Sequence, residues 1–215
     1  MRFDLHTHTF YSDSFYSPEA VVKMAIRKGL DGIAITDHNT FSGVKRAVGF
    51  SKEKSILVIP GEEVLTDVGE VIGLFLQERI SPGQFDDVVD RIRDQDAIIV
   101  FPHPCDRLRR GVLKQNQELA SRADAVETFN ARVIFNEDNL MAGKLAEKYG
   151  SAQTGGSDAH FDFEIGSGWT EFDGEGERGL REAIKKRNTV SGGRLSTPFV
   201  HGFGKVANLV NRFRR

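Results

Sequence analysis

Short apolar runs alternate along the chain with stretches in which apolar residues recur every three or four positions. That alternation predicts strands interleaved with helices. Phe3-Asp4-Leu5 opens the chain as a short strand. Ser17-Pro18-Glu19 reads as a helix start, with Ser17 as cap and proline at the first helical position. Val21, Val22, Ala25 and Ile26 supply its apolar stripe, and Gly29 its stop. Gly32 to Thr36 is a buried strand, followed by a weaker helix near Ser42 to Phe50 and a strand over Ile56-Leu57-Val58-Ile59. Glu70 to Leu76 predicts a strand, and Pro82 opens a helix with Phe85, Val88, Val89 and Ile92 on one face. Strands at Ala97 to Phe101 and Asp124 to Phe129 follow. A helix capped by Asn136 runs to Gly150, and Ala152 to Thr154 is a last short strand.

This order argues for parallel β-α units. The polar residues of interest follow several different strands at their C-terminal ends. In a parallel β/α barrel those ends converge on one mouth. An open doubly wound sheet would place a glycine-rich phosphate loop after its first strand, and none is present. The expected fold is therefore a small α/β barrel of about seven strands.

Composition changes the picture mainly by exclusion. The 215 residues fit one domain spanning 1–215, without repeat or linker. The net charge of −2 offers no bulk electrostatic case for nucleic acid or an anionic membrane. The single cysteine, Cys105, cannot form an intramolecular disulfide and suits a reducing compartment. No basic leader precedes the first strand and no apolar run approaches a membrane span, so a cytoplasmic protein is expected. The tail from about residue 203 to Arg215 is basic and mildly amphipathic; a solvated end helix is its plainer reading and contact with RNA the sharper one.

The chemistry lies at the strand ends. His6 and His8 stand one residue apart after the first strand, where side chains two apart point the same way and can share one ion. Asp37-His38, Glu62-Glu63, His103 and Asp158-Ala159-His160 follow later apolar runs. Mixed histidine and carboxylate donors without thiolate suit Zn²⁺, Mn²⁺ or Fe²⁺. Clustered divalent ions neutralise a phosphoryl group and activate water, so phosphate-ester hydrolysis by a metal-bound hydroxide is the chemistry such a cluster suggests.

Taken in order, His6-Thr7-His8, Thr36-Asp37-His38, Pro60-Gly61-Glu62-Glu63, Pro102-His103-Pro104 and Gly156-Ser157-Asp158-Ala159-His160 closely resemble the motifs of the PHP (polymerase and histidinol phosphatase) family. The resemblance implies a distorted TIM-like (β/α)7 barrel with two or three divalent metal ions at its mouth. It also implies hydrolysis of phosphate esters. Carried over, His6 and His8 resemble the ligands of a first ion, completed by Glu63 and Asp158. Glu63 then bridges to a second ion with His103, and Asp13, His38 and His160 form a third set. Asp37, beside a ligand, is a candidate acid, an orienter of His38 or an occasional ligand.

One position departs from the family pattern. The strand after the Pro-Gly-X-Glu turn usually supplies a histidine, and here Glu70 is nearest. Either Glu70 is a carboxylate ligand in its place, or it is an exposed strand residue. Asn130 is a weak oxygen ligand or a substrate contact. Of Arg107, Arg109, Arg110 and Arg132, Arg107 and Arg132 are the first candidates to clamp a phosphate.

The expected substrate is a small phosphorylated metabolite, a nucleotide or a short oligonucleotide. The rivals are a non-catalytic metal-binding or regulatory module on the same fold, a 3′-5′ exonuclease, and an amidohydrolase.

Overall fold

The structure is a computed structural model and describes residues 1–52, 54–197 and 211. Apart from Asn211, the basic tail lies outside the described residues. The strands are β1 (Arg2–Asp4), β2 (Gly32–Ile35), β3 (Leu57–Leu65), β4 (Glu70–Leu74), β5 (Ile98–Phe101), β6 (Ala125–Asn130), β7 (Ala152–Gly156), β8 (Gly168–Phe172) and β9 (Thr189–Gly193). The helices are α1 (Pro18–Arg27), α2 (Ser42–Ser51), α3 (Phe85–Asp94), α4 (Asn136–Tyr149) and α5 (Gly176–Lys185).

The strands form one sheet in the order β7-β6-β5-β4-β3-β2-β1-β8-β9, curled into a nearly closed barrel. Strands β1 to β3 and β5 to β7 pair in parallel, as the β-α pattern predicts. Strand β4 runs antiparallel to both its neighbours. The expected seven-strand barrel is recognisable at the mouth. There the extension of β1 pairs with the extension of β7: Asp158 N donates to His6 O at 2.8 Å and His8 N to Ala159 O at 3.1 Å.

Below the mouth β1 and β7 diverge, and β8 and β9 fill the gap. The closing seam depends on glycine. A Cβ on Gly155 would sit 2.3 Å from Trp169 O and one on Gly168 2.0 Å from Gly156 O, so no other residue lets these backbones approach. Thr170 bonds both polar groups of Gly155, accepting from its N–H at 2.8 Å and donating to its C=O at 3.0 Å.

Alternation along each strand sorts the core. Ile98 and Val100 of β5 join an inner cluster with Phe3, Ala34, Ile72, Leu74 and Ala125. Ile99 and Phe101 face the other way, packing with Val88, Val89 and Ile92 of α3. Ile33 and Ile35 likewise join Val21, Val22 and Ala25 of α1. Helix α5 takes a different place: Leu180, Ala183 and Ile184 enter the inner cluster. Arg181 of α5 lies over Phe75 and donates to Asp96 O at 2.8 Å, just before β5, so α5 closes the barrel end opposite the strand C-termini.

Local signals were obeyed at several ends. Ser17 caps α1 by accepting from Ala20 N at 3.2 Å. Gly150 ends α4 with φ +67°. The N-terminus of α3 is met by Asp67, which accepts from Phe85 N at 2.8 Å.

Candidate metal centre

The mouth gathers its donors from the ends of successive strands. His6 and His8 lie on the extension of β1, and both rings are buried. His38 follows β2. Glu63 lies within β3 and pairs in register with Ile72 of β4. Because β4 runs backwards, its first residue, Glu70, stands at the mouth on the same face as Glu63. His103 follows β5, and Asp158 and His160 follow β7. His103 and Asp158 hold φ values of +30° and +54°, a left-handed backbone that non-glycine residues adopt only when their surroundings compel it.

Four donor groups overlap there: His8, Asp13, His38 and His160; His6, His8 and Asp158; His6, Glu63 and His103; and His38, Glu63 and Glu70. Within each group the donor atoms lie within 4.8 Å of one another. Glu63 spans them: its Oε1 is 3.1 Å from His103 Nε2, while its Oε2 is 3.2 Å from His6 Nε2 and 3.1 Å from His38 Nδ1. Asp158 Oδ1 lies 3.2 Å from His8 Nε2, and Asp13 Oδ2 lies 2.9 Å from His160 Nε2. Glu70 reaches to 3.8 Å from His103 Nε2 and 3.9 Å from His38 Nδ1.

The electrostatics are those of a cluster built around positive charge. Burial opposes ionisation of Glu63 and Asp158, yet His38 and His6 hold Glu63 well below the usual carboxylate range, and His6 and Arg109 do the same for Asp158. Burial and the neighbouring Glu63 charge push Glu70 up. Burial, then His160 and His38, press His8 down to about 3, which leaves it neutral and able to donate a lone pair. Asp13 Oδ1 and His103 Nδ1 are buried with no hydrogen-bond partner among the described residues. A neutral His8 ring, crowded carboxylates, orphaned polar atoms and the absence of thiolate in these groups together fit borderline divalent cations.

Several residues support the donors from behind. Glu127 Oε1 is 3.1 Å from His6 Nδ1, which leaves Nε2 of that ring facing the cluster. The other oxygen of Glu127 accepts from His103 N at 2.7 Å and from Asn130 Nδ2 at 2.9 Å. Asn130 also donates to Asp158 Oδ2 at 3.1 Å and accepts from Arg109 Nη2 at 3.0 Å. Buried in that network, it is a tie between Glu127, Asp158 and Arg109. Asp37 belongs to none of the donor groups. It accepts from Thr9 N and Thr9 Oγ1, each at 2.6 Å, and from Ser12 Oγ at 2.7 Å, and so fastens the loop that carries Asp13.

The arginines divide. Arg107 pairs with Asp138 at 2.8 Å and lies over the Phe135 ring, away from the mouth. Arg109, Arg110 and Arg132 line a cavity of about 480 Å³ together with Asp13, His38, Glu70 and His160. Arg109 is bound to Asp158, Asp106 and Asn130, and Arg132 contacts His160 Nδ1. Sequence reasoning passed over Glu127 as a supporting residue. Its signal was a carboxylate inside the otherwise uncharged run Ala125-Val126-Glu127-Thr128-Phe129.

The PHP domain model matches residues 4–133, and a PHP-associated model matches residues 136–189. This chain belongs to the PHP family. An uncharacterized protein of Methanocaldococcus jannaschii is 39% identical over 180 residues, covering 80% of this chain and 70% of that one. A 5′-3′ exoribonuclease of Haemophilus influenzae shares 36% identity over 66 residues, 31% of this chain and 24% of the enzyme. Among solved structures, a two-domain protein from Bacteroides vulgatus, described as containing a predicted PHP-like metal-dependent phosphoesterase, superposes with a TM-score of 0.77 at 20% identity. The match covers 90% of this PHP chain and 65% of that longer one, and it shows a shared fold. Among the described residues, no helix is long and apolar enough to cross a membrane.

Proposed function

We propose that the chain is a metal-dependent phosphoesterase acting on a small phosphorylated metabolite, a nucleotide or a short oligonucleotide in the cytoplasm. The observation that carries this reading is the position of Glu63, whose two carboxylate oxygens face different histidines of overlapping donor groups. His6, His8, Glu63 and Asp158 would hold one ion, and Glu63, His103 and Glu70 a second. Asp13, His38 and His160 would hold a third. Bound divalent ions of the Zn²⁺, Mn²⁺ or Fe²⁺ kind would supply charge neutralisation at the phosphoryl group and a water activated near neutral pH.

The chain's own groups do the rest. Arg110, which is exposed, and Arg132, which is buried against His160, both line the cavity and would meet the anionic oxygens of the ester and orient it over the donors. Glu127 keeps the His6 proton on Nδ1, away from the cluster. Asp37 acts through the loop it fastens, which sets the place of Asp13. Leu108 and Ile134, both exposed at the same cavity, give the organic part of the substrate an apolar wall.

Elemental analysis of the purified protein, paired with hydrolysis of an aryl phosphate monoester and its diester in added Mn²⁺, tests the reading. Bound metal with chelator-sensitive turnover is expected, and His8→Ala or Glu63→Ala should remove both together. Turnover by either variant at wild-type metal content would overturn it. Metal without turnover on either ester would favour a binding module.

A second reading, exonucleolytic cleavage of nucleic acid ends, is supported by the stretch shared with the exoribonuclease. Preference for the diester, extended to end-labelled oligonucleotides, would select it and fix its polarity.

A further inference from the structure

The loop from Thr9 to Ser14 carries Asp13 into the mouth, and it is tied down from three sides. On one side Asp37, next to His38, takes the hydroxyls of Thr9 and Ser12. On another, Ser14 Oγ donates to His160 O at 2.9 Å. The third tie comes from the far end of the chain. Asn211 is fully buried, and its Nδ2 donates to Ser14 O at 2.7 Å and to Ser12 O at 3.4 Å. Those are the carbonyls on either side of Asp13.

Asn211 therefore brackets the residue whose Oδ2 lies 2.9 Å from His160 Nε2 and 3.7 Å from His38 Nε2. A side-chain amide suits this task because its NH₂ carries two donors, one for each carbonyl. Burial makes the bonds matter: a carbonyl left facing a buried apolar or acceptor group loses solvation without replacement.

We infer that Asn211 is a positioning residue for the ion that Asp13, His38 and His160 would hold, so that a residue beyond β9 completes this part of the metal centre. The inference rests on the phosphoesterase reading for its catalytic meaning and on the hydrogen bonds alone for the latch. Asn211 touches none of the donor atoms itself. Its effect reaches them through the backbone of Ser12 and Ser14, in the way that outer partners orient metal ligands.

The test compares full-length wild type with Asn211→Ala, which removes the donors, and Asn211→Asp, which turns an acceptor oxygen toward both carbonyls. Circular dichroism and melting establish that each variant folds, and the milder Ala variant carries the test if Asp does not. Two readouts follow. In metal-free protein, hydrogen-deuterium exchange of peptides covering residues 9–16 should rise in the variants while peptides from β5 stay unchanged. In a Mn²⁺ titration, one of the wild-type binding steps should weaken roughly 10–100-fold, the others remaining in place.

Unchanged exchange over residues 9–16 would overturn the latch. Raised exchange with an unchanged Mn²⁺ titration would overturn the positioning role and leave a purely structural fastening. Wild-type protein that binds no Mn²⁺ would bring down the phosphoesterase reading and with it the positioning role, while the exchange data still decide whether the latch exists.

Discussion

Glu127 and His6 are joined by a 3.1 Å contact between Oε1 and Nδ1, and the second oxygen of the same carboxylate receives the backbone N–H of His103. One buried side chain thus orients a donor that follows β1 and another that follows β5. Glu127→Gln would leave one acceptor oxygen for two tasks, setting its NH₂ either against the His103 N–H and the Asn130 amide or against His6 Nδ1. It is expected to weaken metal binding roughly 10–100-fold with secondary structure retained. Competition against a chelator of known affinity measures this, and wild-type affinity would refute the orienting role.

Glu70 stands at the mouth only because β4 is reversed. Glu70→Gln keeps the shape and one oxygen donor but removes the charge that His38 and His103 face. Metal content per chain should fall after dialysis against low metal, and Glu70→His should restore it. Equal content in Glu70→Gln and wild type would make Glu70 a bystander.

Glu62 gives a pH signature. Burial is the main cause that pushes its carboxyl up to about 7, against the Ile80 N–H that it accepts at 2.9 Å and the partly compensating Arg79. A folded value above the unfolded one means that stability from this group is complete below about 4.5 and is lost as pH rises through 7. Glu62→Gln cannot ionise, so it should match wild type near pH 4.5 and exceed it by about 1–3 kcal/mol at pH 8. Denaturant unfolding at the two pH values checks the sign, and equal stability at pH 8 would show that Arg79 already offsets the charge.

Cys105, next to His103-Pro104, is not a nucleophile in waiting. Burial and the nearby Asp138 charge raise its thiol to about 12. Alkylation of native protein at pH 8 should run more than about 100-fold slower than in denatured protein, because the thiolate is the reactive form. Comparable rates would show the thiolate accessible.

Much of this was legible beforehand. The alternating parity of His6 and His8 placed both rings on one face, and the stripe Phe85, Val88, Val89 and Ile92 placed α3 against the sheet. Asp158 and His160 were legible from the motif Gly156-Ser157-Asp158-Ala159-His160 that follows a strand. Glu70 resisted because a strand's direction leaves no mark in its composition: Glu70-Val71-Ile72-Gly73 reads the same whether it enters the mouth or leaves it. Arg107 was preferred to Arg109, yet it pairs with Asp138 while Arg109 lines the mouth, because an irregular loop carries no period to say which side chain turns inward. Asp37 sits beside a donor in sequence, but the side-chain direction that sends His38 to the cluster sends Asp37 to the Thr9 loop. Strands β8 and β9 and helix α5 escaped notice because their apolar residues are few and spaced by glycine and charge.

The pairing of the β1 extension with the β7 extension has a thermodynamic consequence. Donors on the two extensions, His8 and Asp158, lie 3.2 Å apart although the chain visits them at opposite ends of the barrel's circuit. An ion shared by them would act as a clasp across the contact that closes the mouth, binding the folded state and not the open chain. The barrel's resistance to unfolding would then obey mass action: a free ion concentration of 100 times Kd adds about 2.7 kcal/mol. Melting followed against buffered free Mn²⁺ should rise with the logarithm of the ion concentration, making this fold a gauge of the metal around it.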